Sequence, residues 1–61
     1  MFKFTITYYF DVYHTGEVNT NKARIGVVSA ANKEKAVDKI KQVDKDFVCV
    51  ADLVFEEMVC E

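Results

Sequence analysis

Residues 2–13, FKFTITYYFDVY, decide the fold. Phe2, Phe4, Ile6, Tyr8, Phe10 and Val12 occupy one parity, and Lys3, Thr5, Thr7, Tyr9, Asp11 and Tyr13 the other. Side chains of an extended chain alternate between two faces, so this period of two predicts a long strand with its even set on the core. His14, Thr15, Gly16 and Glu17 bring turn chemistry. A second alternating run then sets Ala23, Ile25, Val27 and Ser29 against Lys22, Arg24, Gly26 and Val28. A turn centred on Thr15 and Gly16 places Ile6 opposite Ile25, Phe4 opposite Val27 and Tyr8 opposite Ala23. A wider loop through Asn19, Thr20 and Asn21 keeps the same facing.

After Ala30 the period changes. Asn32 is a good N-cap, Glu34 suits a first turn, and Ala36, Val37, Ile40 and Val43 fall on one side, predicting a helix over 33–43 with Lys and acids opposite. Asp44, Lys45 and Asp46 end it. Residues 47–55 read as a third strand with Phe47, Cys49, Ala51, Leu53 and Phe55 inward, because Asp52 and Glu56 belong to the other set. A right-handed crossover from the second strand to a third strand parallel to it sets that strand against the first. The expected fold is α+β: a single ββαβ domain over 1–61, its three-stranded sheet in the order 2-1-3, with one helix on one face.

The chain has 61 residues, 51% apolar and 30% charged, with no Pro and two Gly. This excludes a disordered chain, a collagen-like repeat and a membrane-spanning helix. A domain of this size buries a modest core, so self-association is expected. Cys49 and Cys60 lie on one extended segment, too far apart to bridge, and read as free, buried thiols. Together with an N-terminus lacking the features of a signal peptide, they predict a cytoplasmic, reducing setting.

Catalytic chemistry is thinly supplied. A nucleophile needs a base within hydrogen-bond reach, and the single His, His14, falls in a turn remote from Ser29 and Cys49. His14, Cys49 and Cys60 lack the number and spacing of a zinc site, and Gly16 and Gly26 stand alone, so no phosphate loop is present. The expectation is a non-enzymatic protein without metal or cofactor.

Surfaces remain. By parity the uncovered sheet face combines Thr5, Thr7 and Tyr9 with Val28 and with Val48, Val50 and Val54, an apolar patch expected to form a homodimer or partner interface. Charge is lopsided: residues 1–45 hold all eight Lys and Arg against five acids, whereas residues 46–61 hold five acids and no base. Asp52, Glu56, Glu57 and Glu61 thus form an acidic edge suited to a basic partner surface. An alternative groups Tyr9, Tyr13, Lys22 and Arg24 as a stacking platform for single-stranded nucleic acid, which the nearby Asp11, Asp52 and Glu56 oppose. Met58, Val59 and Cys60 either continue the third strand or form an apolar tail. A further alternative is a structural subunit of a larger assembly.

The segment VVSAANKEKAVDKIKQ resembles the strand-to-helix join of many small α+β proteins, a generic solution that selects no family. In size and composition the chain is similar in style to accessory proteins of phages and mobile elements, many of which bind and block a host protein. That likeness implies a small protein-binding module of adaptor or inhibitor type.

Overall fold

The computed structural model describes residues 1–57 and contains β1 (Phe2–Phe10), β2 (Arg24–Ala30), α1 (Lys33–Val43) and β3 (Phe47–Glu57). The sheet runs β2-β1-β3, with β1 antiparallel to both neighbours. This is the expected ββαβ architecture. The alternatives for Met58, Val59 and Cys60, and the place of Glu61 on the acidic edge, lie outside the described residues.

The first strand is central, its nine residues pairing with β2 on one side and β3 on the other. Its even side chains form the core, where Phe4, Ile6 and Tyr8 are buried with Ala30, Ala36 and Ile40, and Ile6 is completely enclosed. The strand stops at Phe10, short of the expected Tyr13. Asp11 turns the chain, donating its N–H to Asp46 O at 2.8 Å and accepting Gly16 N–H on Oδ2 at 2.8 Å. Gly16 has φ 85°, a region where a Cβ is unfavourable. Asn19 closes a second turn, its Oδ1 accepting Asn21 N–H at 2.9 Å.

The wide loop shifts the register by one residue. Phe4 pairs with Val28, Ile6 with Gly26 and Tyr8 with Arg24. A one-residue slip exchanges the two faces of a strand. Arg24, Gly26, Val28 and Ala30 therefore point toward α1, while Ile25 and Val27 face outward, 68% and 58% exposed. The expected facing of the second strand is reversed. The reason is steric: Gly26 lies directly under Ile40, so close that a Cβ would overlap Ile40 Cδ1, and Ala30 and Ala36 are both buried in the same core. The helix sits down on the smaller set, although Ile25 and Val27 are the more apolar residues.

The helix has the predicted bounds. Asn32 Oδ1 accepts Lys35 N–H at 2.9 Å, Glu34 lies in the first turn near the positive end of the dipole, and Asp44 N–H closes the last turn on Ile40 O at 2.8 Å. Ala36 and Ile40 are buried and Val37 packs beside them. Val43, expected in the core, is 83% exposed. It lies one turn beyond Lys39, whose ammonium bonds Ser29 O, and this flank overhangs the outer edge of β2 with no strand beneath.

Two irregularities alter the facing of β3. Thr7 pairs with Asp52 but Tyr8 with Val50, and Tyr9 pairs with Cys49 but Phe10 with Phe47, leaving Ala51 and Val48 as extra residues. Phe47, Val50 and Leu53 pack against the core, so Val50 belongs with the inward set. Cys49 is an exposed free thiol opposite Tyr9, not a buried one.

Candidate interaction site

Residues that pair across a sheet project to one face, and the open face can be read row by row. Val27, Thr5 and Val54 form one row; Ile25, Thr7 and Asp52 the next; Ser29, Lys3 and Glu56 the one beyond. Tyr9 and Cys49 pair toward the other end. Ile25, Val27 and Val54 are each more than half exposed and are linked by Thr5 and Thr7. At one border Lys3 Nζ meets Glu56 Oε1 at 3.0 Å in a solvated pair.

Of the positions expected on this face, Thr5, Thr7, Tyr9 and Val54 lie there. Val28 and Val50 do not: both turn to the helix side and pack against the core. Val48 is 42% exposed but is the extra residue of an irregularity, outside the cross-strand rows. Ile25 and Val27, assigned inward by the sequence reading, are the principal apolar residues of the open face. The signal that finds them is the smallness of Gly26 and Ala30, which marks the side a helix can approach. Asp52 and Glu56 lie on the open face, whereas Glu57 pairs with Phe2 on the opposite one, so the acidic residues form no continuous row.

Tyr9, Tyr13, Lys22 and Arg24 do not share a face. Arg24 is on the helix side, its guanidinium 4.0 Å from the Phe10 ring centre and 2.9 Å from Asp44 Oδ2. Tyr13 and Lys22 line a shallow loop concavity of about 330 Å³ together with Asp11 and Glu17, where charges of both signs mix.

The second polar feature is a network at the C-terminal end of α1. Tyr8 donates its hydroxyl hydrogen to Asp44 Oδ2 at 2.6 Å, and Arg24 Nη1 donates to Asp44 Oδ1 and Oδ2 at 3.1 and 2.9 Å. Asp46 lies 3.4 Å from Arg24 Nη1, and its Oδ1 lies 3.2 Å from His14 Nε2. The Tyr8 hydrogen bond holds the Asp44 carboxyl below the ordinary range, against the opposing effect of burial and with help from Arg24. Burial, followed by the bond to Asp44, pushes the Tyr8 hydroxyl up to about 12. The network ties β1, β2 and the helix end together, a bracing role.

Its pH signature follows from linkage. Asp44, depressed in the fold, contributes stability that is present above the ordinary Asp value of about 3.9 and lost as pH falls through its lower folded value. Tyr8, raised in the fold, contributes stability present below 10.0 and lost as pH rises from there to about 12. Tyr8→Phe is expected to reduce both losses relative to the parent chain. Urea midpoints measured at acid, neutral and alkaline pH for the two proteins check this, and identical pH profiles would show that the hydroxyl does not couple to Asp44.

No group of three or more His, Cys, Asp or Glu able to hold a metal occurs among the described residues, and no helix there is long and apolar enough to cross a membrane. Comparison with protein-family models, with curated proteins and with solved structures finds no match. The class defined by the fold is a small open-faced α+β domain.

Proposed function

We propose that the chain is a non-enzymatic, cytoplasmic protein-binding module of adaptor or inhibitor type that acts as a homodimer through its open sheet face. The observation that supports this reading is the exposed row Val27–Thr5–Val54 with Ile25 beside it. A sheet with one face uncovered normally alternates apolar inside with polar outside; here the outer residues of both edge strands include large aliphatics. Burying them against a second copy removes apolar surface that a core this small leaves in water. Asp52 and Glu56 lie beside the patch, where they provide the charge that selects a basic partner surface.

Solution mass across a concentration series, by light scattering coupled to size exclusion, tests the reading. A dimer is expected, and the double variant Val27→Lys with Val54→Lys is expected to weaken it about 100-fold, equivalent to about 2.8 kcal/mol, while the circular dichroism stays unchanged. A monomer at every concentration overturns self-association. Val50→Lys is the matched control: because Val50 packs against the core, it is expected to impair folding rather than association.

A further inference from the structure

We propose that the outer edge of β2 receives an extended segment of a partner protein as a fourth strand, with aliphatic side chains beside Ile25 and Val27 on the open face and acidic side chains toward Lys39 and Lys35 on the helix side. This names the partner chemistry of the protein-binding reading above and rests on it. The homodimer is a separate contact, because stacking two open faces leaves the strand edges unpaired.

The two edges of the sheet differ. β3 carries two irregularities and the carboxylates of Asp52, Glu56 and Glu57, features that keep an edge from pairing with another chain. β2 has none of these. Its seven residues pair with β1 in unbroken register, they include no Pro, and their only charge is Arg24, which is held by Asp44 and Asp46. Among the described residues no strand lies on its outer side. The outer side of an edge strand presents backbone N–H and C=O groups at every second residue, a row that another extended chain matches.

The surroundings of the edge select the side chains of the added strand. On the open face Ile25 and Val27 are 68% and 58% exposed. A neighbouring strand would set its own residues about 5 Å from them, where β-branched aliphatics pack well. On the helix side Lys35, Lys39 and Val43 recur every four residues along one flank of α1. Lys39 Nζ donates to Ser29 O, which brings this flank over β2, and Val43 is 83% exposed beside the space that a fourth strand would fill.

Charge divides the helix unequally. Glu34 and Asp38 line a concavity on the other flank of α1 with Lys33, Val37 and Lys41, so Lys39 and Lys35 are the charges of the flank toward the β2 edge. On the open face the carboxylate in the row of Ile25 is Asp52, two strands away. The acids of the partner therefore belong on the helix side. A second copy fits poorly: antiparallel pairing of two β2 strands would bring both sets of Lys35 and Lys39 to the same side of the seam.

The test uses the full chain and two fluorescein-labelled peptides of eight residues, one alternating Val with Glu and the other Val with Lys. By fluorescence anisotropy the Glu peptide is expected to bind at least about tenfold more tightly, with the difference shrinking as salt rises. The chain has a net charge of −2, so long-range attraction favours the Lys peptide and the expected order reports a local contact. N-methylation of every second residue of the Glu peptide is expected to abolish binding in one phase and spare it in the other, because alternate N–H groups face β2. The double variant Lys35→Glu with Lys39→Glu is expected to reverse the order of the peptides. Lys33→Glu with Lys41→Glu, equal in net charge, is expected to leave the order unchanged. Absence of binding, equal binding of the two peptides, or equal loss in both methylation phases overturns the proposal. So do amide shift changes centred on β3 or on Thr5 and Val54, and so does protection of consecutive β2 amides that grows with concentration in the peptide-free chain, which would give the edge to a second copy. Light scattering reads the homodimer separately: a monomer that binds the Glu peptide removes the dimer alone, and a dimer that binds neither peptide removes the edge site alone.

Discussion

Ile6→Ala is expected to leave much of the population unfolded at 25 °C and neutral pH. Among the described residues Ile6 is the one large side chain with no exposure, at the centre of a core whose other buried members are Phe4, Tyr8, Ala30, Ala36 and Ile40. Removing a buried Ile side chain costs about 2–5 kcal/mol, because the apolar transfer energy is lost and the surroundings only partly collapse into the space. A domain of about 60 residues has a total stability of roughly 3–9 kcal/mol, so the loss is comparable with the whole. Far-UV circular dichroism and urea titration read the outcome. Val27→Ala, at a position 58% exposed, is the control and is expected to shift the urea midpoint of the monomeric state little. Equal shifts for the two substitutions would place the centre of the core elsewhere.

The second large effect is expected at Gly26, with a sign opposite to strand propensity. In an exposed strand position Gly→Val is favourable by up to about 1 kcal/mol. At Gly26 the new side chain meets Ile40 Cδ1 at once, and Tyr8 Cε1 lies 3.6 Å from the Cβ position. Overpacking of this kind costs about 1–3 kcal/mol as the helix lifts or rotamers shift. Gly26→Val is therefore expected to lower the urea midpoint, and Ile40→Val in the same chain to recover part of the loss. The pair measured as a double-mutant cycle reports the contact directly. Stabilisation by Gly26→Val alone would mean that α1 does not sit down on β2 at this point.

These two residues mark how far local patterning carries. Ile6 stands at the centre of six alternating apolar residues, and its burial is legible from the sequence because β1 is regular and has a neighbour on each side. Gly26 belongs to a strand with two usable faces. Hydrophobicity alone selects Ile25 and Val27 for the core, whereas the separation of helix and sheet selects Gly26 and Ala30. The same competition misplaces Val28. In β3 the alternation is broken by Ala51 and Val48, which carry no Gly or Pro to announce them, and each extra residue exchanges the faces beyond it. Cys49 and Val50 accordingly trade places relative to the sequence expectation.

The candidate surfaces divide in the same way. Thr5, Thr7, Tyr9 and Val54 are legible on the open face because they alternate with core residues and precede or avoid the irregularities. Ile25 and Val27 become visible there only once the register is known. Arg24 reads as an exposed base in the sequence, yet the register turns it beneath the helix end, where Asp44 and Asp46 lie within 2.9 and 3.4 Å. Phe55 reads as core in the sequence and pairs with the buried Phe4, yet it is 60% exposed.

By itself the sequence determined the element order, the strand-strand-helix-strand topology, the Asn32 cap and the centrality of β1. Each of these rests on periodicity or on groups a few residues apart, and such interactions are present in the local chain. Tertiary structure alone decided which face of β2 the helix covers, where β3 changes parity, and which apolar residues remain in water. Those outcomes depend on how closely two layers approach, and that distance is set by Gly26, Ala30, Ala36 and Ile40 acting together across the fold.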